Sequence, residues 1–301
     1  MKIHHNKLSG LSEDHILAEF DSASEMLAAI PSGAAAVQAV RMTREGGFYG
    51  NLPWDKLSEA VTTGDAATAK AAKALLSKIN AGMPATVKRV RTSRPFGRVV
   101  TGAYLAGDPM PARARVKVHS PNAPVLIAVN LSSSAMTGID SLRKRGVAIA
   151  ALVQKVAMTR PVDLRLIGSL RSDNCGSIIA SVKFPTAPVD SHRLAFLLSH
   201  QGFGRAALFA LSKSCKTLSG GAKGMGDNFS ADFITWPGGY DQEYVNRMDT
   251  TKGATGLGAD LAKHYRKKTV YIPGAGAFNP DYAKMINDPV QWINETIAKL
   301  A

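Results

Sequence analysis

The order of apolar and polar positions predicts a helical beginning of the chain. The first 87 residues are rich in alanine, and Ser12-Glu13-Asp14 can start a helix that continues or repeats from Ser22 to Ile30. Pro31-Ser32-Gly33 is expected to stop it. Further helices are predicted from Trp54 to Thr62 and, capped by Asp65, from Ala66 to Asn80. We therefore predict a helical N-terminal subdomain over residues 1–83.

From residue 84 the pattern changes to short β-type runs separated by glycine and proline. The clearest run, Ala112 to His119, alternates strictly, and this alternation predicts a strand with a cationic face formed by Arg113, Arg115, Lys117 and His119. The apolar run Val125 to Val129 suits a fully buried strand. A helix from Ile139 to Met158 and a strand from Val162 to Ile167 follow it, so this segment is predicted to be a βαβ unit.

The remaining elements complete an α/β protein with a mixed sheet flanked by helices. Further strands are predicted over 177–184, 232–236 and 269–272, and helices over 190–199, 205–215, 257–266 and 289–300. Residues 84–301 are thus expected to form an α/β body that follows the helical N-terminal subdomain.

Charge changes this picture, because it is concentrated in the middle of the chain. The formal net charge is +14, and no glutamate occurs between Glu59 and Glu243. Residues 88–205 carry 18 Lys and Arg against 5 Asp, whereas the flanking segments are nearly neutral. A charge confined in this way is typical of proteins that bind a polyanion, because each Lys or Arg that meets a phosphate releases condensed counterions.

Several functional classes receive no support from the motifs. Gly202-Phe203-Gly204-Arg205-Ala206-Ala207 has the look of a dinucleotide loop but follows a predicted helix instead of a strand. The seven histidines show no metal-ligand spacing, and the two cysteines, Cys175 and Cys215, are too few for a disulfide framework or a zinc site. We expect no enzyme, no metal and no cofactor. The absence of a long apolar run and of a secretory leader predicts a cytoplasmic protein without membrane contact.

The basic region predicts a nucleic-acid site. A single strand needs cations along its backbone and flat side chains on which unpaired bases stack. A Gly-Phe-containing basic loop beside the cationic strand and a basic cluster on the predicted helix supply both. The candidate residues are Lys88, Arg89, Arg91, Arg94, Phe96, Arg98, Tyr104, Arg113, Arg115, Lys117, His119, Arg143, Lys144 and Arg145. Residues 266–268 add a further cluster. A solvated charged face is the alternative, and DNA and RNA are not distinguished.

The βαβ segment resembles the core of a von Willebrand factor A domain. That family holds a divalent cation with Asp-x-Ser-x-Ser after its first strand, and here Asn130 stands at the Asp position, with Ser132 and Ser134 in place. An amide is a weaker ligand for Mg²⁺ than a carboxylate, so the resemblance implies a degenerate metal site. It implies a protein-interaction module as an alternative function.

In size, charge, the Lys88 to His119 region and the α/β body, the chain also resembles the single-stranded-DNA-binding RNA polymerase cofactors of a podovirus-type bacteriophage group. The resemblance implies sequence-independent binding of single-stranded DNA at a melted promoter and contact with a phage RNA polymerase. It also implies action in the cytoplasm of the bacterial host and a fold other than the five-stranded OB barrel. A nucleic-acid-processing enzyme is a third alternative, for which the sequence offers no reactive site.

Overall fold

A computed structural model describes residues 1–5, 15–80, 87–94, 98–107, 112–119, 124–131, 133, 137–172, 176–213, 257–275 and 280–300. The chain forms two compact units, of which one comprises Met1–Ala81 with Pro124–Ala301 and the other Gly82–Ala123. The sequence had instead indicated a division after residue 83, with everything beyond it in one body. The larger unit therefore includes the segments that precede and follow the smaller unit in the sequence.

The strands of the described residues form two sheets. They are β1 (Lys2–His5), β2 (His15–Phe20), β3 (Val87–Arg94), β4 (Arg98–Val99), β5 (Ala112–His119), β6 (Val125–Asn130), β7 (Val162–Ser172), β8 (Gly176–Phe184) and β9 (Lys268–Ile272). The larger unit holds a six-stranded sheet in the order β1-β2-β8-β7-β6-β9, and the smaller unit holds a three-stranded sheet in the order β3-β5-β4. In the larger sheet, β1–β2 and β7–β8 are antiparallel, whereas the other neighbours are parallel. The predicted α/β class with a mixed sheet flanked by helices is confirmed.

Most helices of the described residues belong to the larger unit. They are α1 (Ala23–Ala28), α2 (Ser32–Arg44), α3 (Trp54–Thr63), α4 (Ala66–Leu76), α6 (Ile139–Ala157), α7 (Ser191–Ser199), α8 (Leu208–Lys213), α9 (Leu257–Tyr265), α10 (Pro280–Asn287) and α11 (Pro289–Leu300). The short helix α5 (Thr101–Leu105) belongs to the smaller unit, and a π-helix, Gly202–Ala207, leads into α8. Among the residues that the structure describes, no helix combines the length and the apolar character that a membrane crossing needs.

The predicted βαβ unit is confirmed and forms the centre of the larger unit. Strands β6 and β7 pair in parallel from Val125 opposite Val162 onward, and α6 connects them. Every residue of β6 is buried, as expected for a strand covered on both faces. On one face Leu126 and Ala128 belong to a cluster that includes Leu261 of α9. The centre of the sheet is therefore covered on both faces. Polar side chains can lie at the carboxyl ends of its parallel strands.

The helix predicted to start at Ser12 is wrong, because residues 15–20 form β2 in the main sheet. This strand pairs in parallel with β8, and Leu17 and Ala18 are fully buried within it. A short apolar run that is buried on both faces of a sheet lacks the alternation that identifies a strand, so sequence periodicity cannot separate it from a helix. Helix α2 was missed, since it begins at Ser32, where the sequence indicated a stop.

The corner between α3 and α4 is fixed by a glycine and a cap. Gly64 has φ +80°, and a Cβ at this position would lie 2.2 Å from the carbonyl carbon of His192. The next amide, that of Asp65, donates to the His192 carbonyl at 3.0 Å. The Asp65 carboxylate accepts hydrogen bonds from the amides of Ala67 and Thr68, which confirms the predicted cap of α4. This corner joins the N-terminal helices to α7.

The other predicted elements differ in outcome. The helices expected over 257–266 and 289–300 are confirmed as α9 and α11, and the strand expected over 269–272 is β9. The predicted strand 232–236 lies outside the described residues. The helix expected from Arg205 begins earlier, as the π-helix that starts at Gly202.

Candidate nucleic-acid interface

The smaller unit is a basic β-ribbon. Strand β5 lies in its middle, with β3 and β4 antiparallel on either side. The basic loop that the sequence predicted beside β5 is wrong for most of its length, because residues 87–94 form β3 and residues 98–99 form β4. Residues 82–123 contain eight Lys and Arg and one acidic residue, Asp108. Basic residues therefore occupy many of the strand positions of this small sheet.

The register places basic residues directly opposite one another. Arg89 faces Lys117 and Arg91 faces Arg115 across β3 and β5, and Arg98 of β4 faces Arg113 of β5. Opposed positions of an antiparallel pair lie on the same face of the sheet, with Cβ atoms about 4.5–5.5 Å apart. Like charges at such positions destabilise the pairing. The register therefore places six basic positions on one face of the ribbon.

The predicted site residues of the ribbon divide between its two faces. His119, which pairs with Val87, shares the face of the three cation pairs by the two-residue period of a strand. Lys88 lies opposite Val118 and Arg94 lies opposite Ala112, so these two positions belong to the other face. Sequence alternation along β5 predicted its cationic face, but the faces of β3 depend on its register.

The two predicted stacking residues have different outcomes. Phe96 lies outside the described residues. Tyr104 belongs to α5, in the smaller unit, and its side chain is 65% exposed. An exposed ring in a basic unit is available to stack on a base, so the role predicted for Tyr104 stays a prediction.

The basic cluster of α6 contains one residue that is not a surface cation. Arg143 and Lys144 are exposed, and Arg143 lies 3.9 Å from the Asp140 carboxylate. Arg145 is only 2% exposed, and its Nη2 donates to the carbonyl oxygens of Asn130 at 2.7 Å and Pro273 at 2.9 Å. The predicted nucleic-acid contact by Arg145 is wrong, because its guanidinium binds two backbone carbonyls inside the larger unit. One turn of a helix can place neighbouring residues on solvent and in the core.

The basic cluster at residues 266–268 is also partly used inside the protein. Lys267 Nζ lies 2.5 Å from Asp163 Oδ2, and Lys268 Nζ donates to the Leu300 carbonyl at 2.9 Å. Burial disfavours the charged form of Asp163, but the hydrogen bond from Lys267 and the nearby charge of Arg165 outweigh it and lower the pKa of this carboxyl. The contribution of residues 266–268 to a phosphate site is therefore smaller than the sequence indicated.

A buried arginine that the sequence did not identify lies at the carboxyl end of β6. Arg205 is 2% exposed, and its Nε donates to Ser133 Oγ at 3.0 Å. Its Nη1 donates to the Phe48 carbonyl at 3.0 Å and to Gln201 Oε1 at 2.9 Å, and the guanidinium lies 4.2 Å from the centroid of the Phe48 ring. Burial lowers the pKa of Arg205. The sequence did not reveal that Arg205 is buried, because its segment, Gly202–Ala207, was considered only for its likeness to a dinucleotide loop.

This end of β6 does not fit a divalent cation. The Asn130 amide donates to Tyr271 Oη at 3.1 Å, the Asn130 carbonyl accepts from Arg145, and Ser133 accepts from Arg205. Mg²⁺ takes oxygen ligands, usually with carboxylates among them, whereas two guanidinium groups lie here. Ser132 and Ser134 lie outside the described residues. The degenerate metal site that the resemblance implied therefore stays a prediction.

The chain belongs to a protein family. Residues 3–257 match the model of a domain of unknown function, DUF7192. The matched range includes the ribbon and the β6-α6-β7 unit, so both are parts of this domain. No curated protein and no solved structure matched the chain.

Proposed function

We propose that the protein binds single-stranded nucleic acid, without sequence preference, along the cationic face of the β3-β5-β4 ribbon. The observation that carries this proposal is the register that sets Arg89 opposite Lys117, Arg91 opposite Arg115 and Arg98 opposite Arg113. Like charges at directly opposed strand positions are destabilising. A phosphate chain along the ribbon neutralises them and releases its counterions, which gives affinity without base recognition.

A single strand suits this ribbon better than a duplex. Readout in the major groove usually requires a helix or a two-stranded ribbon that presents hydrogen-bonding side chains to base edges. Arg and Lys can contact the phosphates of either form, so the preference for a single strand depends on Tyr104, whose exposed ring offers a surface on which an unpaired base can stack. Each such stack contributes about 1–3 kcal/mol and tolerates any base. The proposed activity is therefore binding and not catalysis.

A competition measurement tests the substrate class. A labelled single-stranded DNA bound to the full chain is displaced by unlabelled single-stranded DNA, duplex DNA or RNA of the same length, at two salt concentrations. We expect single-stranded DNA to compete best and duplex DNA to compete least. Lys70→Ala/Lys73→Ala, which removes two exposed charges from α4, serves as the control and should not change the order. Equal competition by duplex DNA would contradict the proposal.

The finer role that we propose is that of a phage transcription cofactor in the bacterial host cytoplasm. Its support is the resemblance in size, charge and basic region to single-stranded-DNA-binding cofactors of phage RNA polymerases. The cofactor would hold the melted promoter strand and contact the polymerase. Transcription by the phage polymerase should rise with added protein on a duplex promoter and change little on a promoter melted beforehand. No stimulation on either template would exclude the cofactor role, while leaving DNA binding to the competition measurement.

The second candidate is a von Willebrand A-like protein-interaction module. The observation that favours it is the parallel β6-α6-β7 unit with Asn130 at the end of its first strand. Because the described residues at that end do not fit a cation, partner binding of this kind should be insensitive to EDTA. Partner binding that survives nuclease treatment and Arg91→Ala/Arg115→Ala would favour this candidate over the nucleic-acid reading.

A further inference from the structure

Two histidines and a glutamate lie close together near the β1 edge of the main sheet. We propose that His4, Glu19 and His264 form a binding site for a transition-metal ion, with Zn²⁺ as the ion that their chemistry fits best. One ligand atom from each residue lies within 4.8 Å of the other two. His4 Nε2 is 2.9 Å from Glu19 Oε2, and His264 Nε2 is 3.8 Å from Glu19 Oε1. Two imidazoles and a carboxylate are a ligand set that zinc commonly takes.

The fold brings these residues together from distant parts of the chain. In the β1–β2 pair, His4 lies opposite Leu17 and Lys2 lies opposite Glu19, so His4 and Glu19 are diagonal neighbours on one face. Leu17 packs in the same cluster as Leu261 of α9, and His264 follows at the end of that helix. Sequence spacing could not reveal the site, because its ligands come from an edge strand, its neighbour and a C-terminal helix.

The spacing of the ligand atoms suits a metal after a small adjustment. In a tetrahedral zinc site with Zn–N and Zn–O bonds of about 2.0–2.2 Å, the ligand atoms lie roughly 3.3–3.5 Å apart. The separations in the cluster lie on both sides of this value, and the side chains are half-buried. A bound ion would take the place of the direct contact between His4 Nε2 and Glu19 Oε2. The fourth position would be open to water or to a further ligand.

Glu19 is held in the orientation that a ligand carboxylate needs. Tyr265 Oη donates to Glu19 Oε1 at 2.5 Å and itself contacts Ser181 Oγ at 2.8 Å. These contacts hold Oε1, while Oε2 faces His4. Hydrogen bonds of this kind from outer residues fix ligand orientation in metal sites, and their loss typically weakens metal binding 10- to 100-fold.

The positive charge of Arg165 opposes the binding of a metal ion at this cluster, and the neighbouring Asp163 reduces this effect. Arg165 Nη1 lies 3.6 Å from Glu19 Oε1, close enough to repel a divalent ion. Its Nε, however, lies 3.1 Å from Asp163 Oδ1, so its charge is shared with a second carboxylate. The guanidinium also lies 4.5 Å from the centroid of the Tyr265 ring. Because Asp163 also pairs with Lys267, Arg165 keeps part of its charge, and it acts on Glu19 as an orienting partner that lowers the affinity for a divalent ion without excluding it.

Metal titration of the full chain tests the site. After treatment with EDTA and its removal, calorimetric titration with ZnCl₂ should show one ion bound per chain. His4→Ala/His264→Ala and Glu19→Gln should each weaken binding at least tenfold, and Tyr265→Phe about tenfold. His5→Ala, which replaces the exposed neighbour of His4, is the matched control and should bind like the wild type. Equal binding by the wild type and His4→Ala/His264→Ala would overturn the proposal.

Cobalt spectroscopy of the wild type keeps the test independent of how well the variants fold. Co²⁺ in a site with two imidazoles and a carboxylate should give d–d absorption bands of a four- or five-coordinate ion, and added Zn²⁺ should remove them. A thiolate-to-cobalt charge-transfer band would place the ion on Cys175 or Cys215 and overturn the assignment. The weak spectrum of hexaaqua Co²⁺ alone would also overturn it, because it would show that no site exists.

Discussion

Arg91 of β3 lies directly opposite Arg115 of β5, inside an antiparallel register that runs from Val87–His119 to Arg94–Ala112. Like charges at directly opposed positions destabilise a strand pair, whereas favourable cross-strand pairs contribute about 0.2–1 kcal/mol. Because the ribbon holds three such pairs, it is expected to gain stability from substitutions that remove an opposed charge, and the same substitutions would weaken the nucleic-acid binding that we propose.

Replacement of Arg115 by Thr should stabilise the free ribbon. The substitution removes the repulsion from Arg91 and introduces a residue that favours strands. Hydrogen exchange, followed by mass spectrometry on peptides that cover residues 87–94 and 112–119, should become slower than in the wild type. Lys88→Thr is the control, because Lys88 lies opposite Val118 and gains only the change in strand preference. Exchange that is faster in Arg115→Thr, or slowed equally in both variants, would show that the opposed charges cost nothing.

Arg145 is expected to matter for stability and not for binding. Arg145→Met removes two hydrogen bonds from a charged donor to the carbonyl oxygens of Asn130 and Pro273, and hydrogen bonds to charged groups contribute about 1.5–3 kcal/mol each. The free energy of unfolding, measured with urea, should fall by about 3 kcal/mol. Lys144→Met, at the exposed neighbouring position, should change it by less than about 0.5 kcal/mol. Equal effects of the two substitutions would contradict the burial of Arg145.

Gly64 is expected to tolerate no side chain. Gly64→Ala forces an L-residue to φ +80° and places its Cβ against the His192 backbone, so the free energy of unfolding should fall by about 2 kcal/mol or more. Gly33→Ala is the control, because Gly33 lies in α2 and a Cβ there meets nothing within 4 Å. Alanine in a helix should leave stability unchanged or raise it by up to about 1 kcal/mol. Thermal unfolding of both variants gives the comparison.

His200 should make stability depend on pH. Its Nδ1 accepts a hydrogen bond from the Gly202 amide at 3.0 Å, and burial lowers its pKa, with Asp65 opposing this shift and Arg143 adding to it. Below the ordinary value of 6.5 the unfolded chain binds this proton and the folded chain does not. Stability is therefore full above pH 6.5 and falls as the pH drops, until the pH passes the lowered pKa of the folded state.

The contribution of this one proton is at most about 1.4 kcal/mol per pH unit. His200→Gln should flatten the decline in the free energy of unfolding between pH 7 and pH 5.5, whereas His192→Gln, at an exposed position of α7, should leave it unchanged. A decline that keeps its full slope in His200→Gln would assign the pH dependence to other groups.

The sequence predicted those elements whose local pattern agrees with their place in the fold. The continuous apolar run of β6, the long helix α6 and the alternating strand β5 were predicted close to their observed bounds. Strand β2 was not, because side chains on both of its faces are buried, which removes the alternation. Helix α2 was missed because Pro31 and Ser32, expected to stop a helix, instead begin one.

The candidate sites were predictable to the extent that they depend on local spacing. Alternation alone gave the cationic face of β5, since side chains along one strand repeat every two residues. The opposition of Arg91 and Arg115 needs the register, which is a property of two strands. Burial of Arg145 and the meeting of His4 with His264 depend on the packing of segments far apart in sequence, and no pattern within either segment encodes it.

The most direct test of the ribbon as the nucleic-acid interface is the dependence of binding on salt. Affinity for a labelled single-stranded oligonucleotide should be measured by fluorescence anisotropy over a range of NaCl concentrations. Each lost phosphate contact should reduce the slope of log affinity against log salt by about 0.7, so Arg91→Ala/Arg115→Ala should reduce it by about 1.4. Lys88→Ala/Arg94→Ala removes the same charge from the other face and should change the slope much less. An unchanged slope in Arg91→Ala/Arg115→Ala, or equal reductions in both variants, would contradict binding along the cationic face.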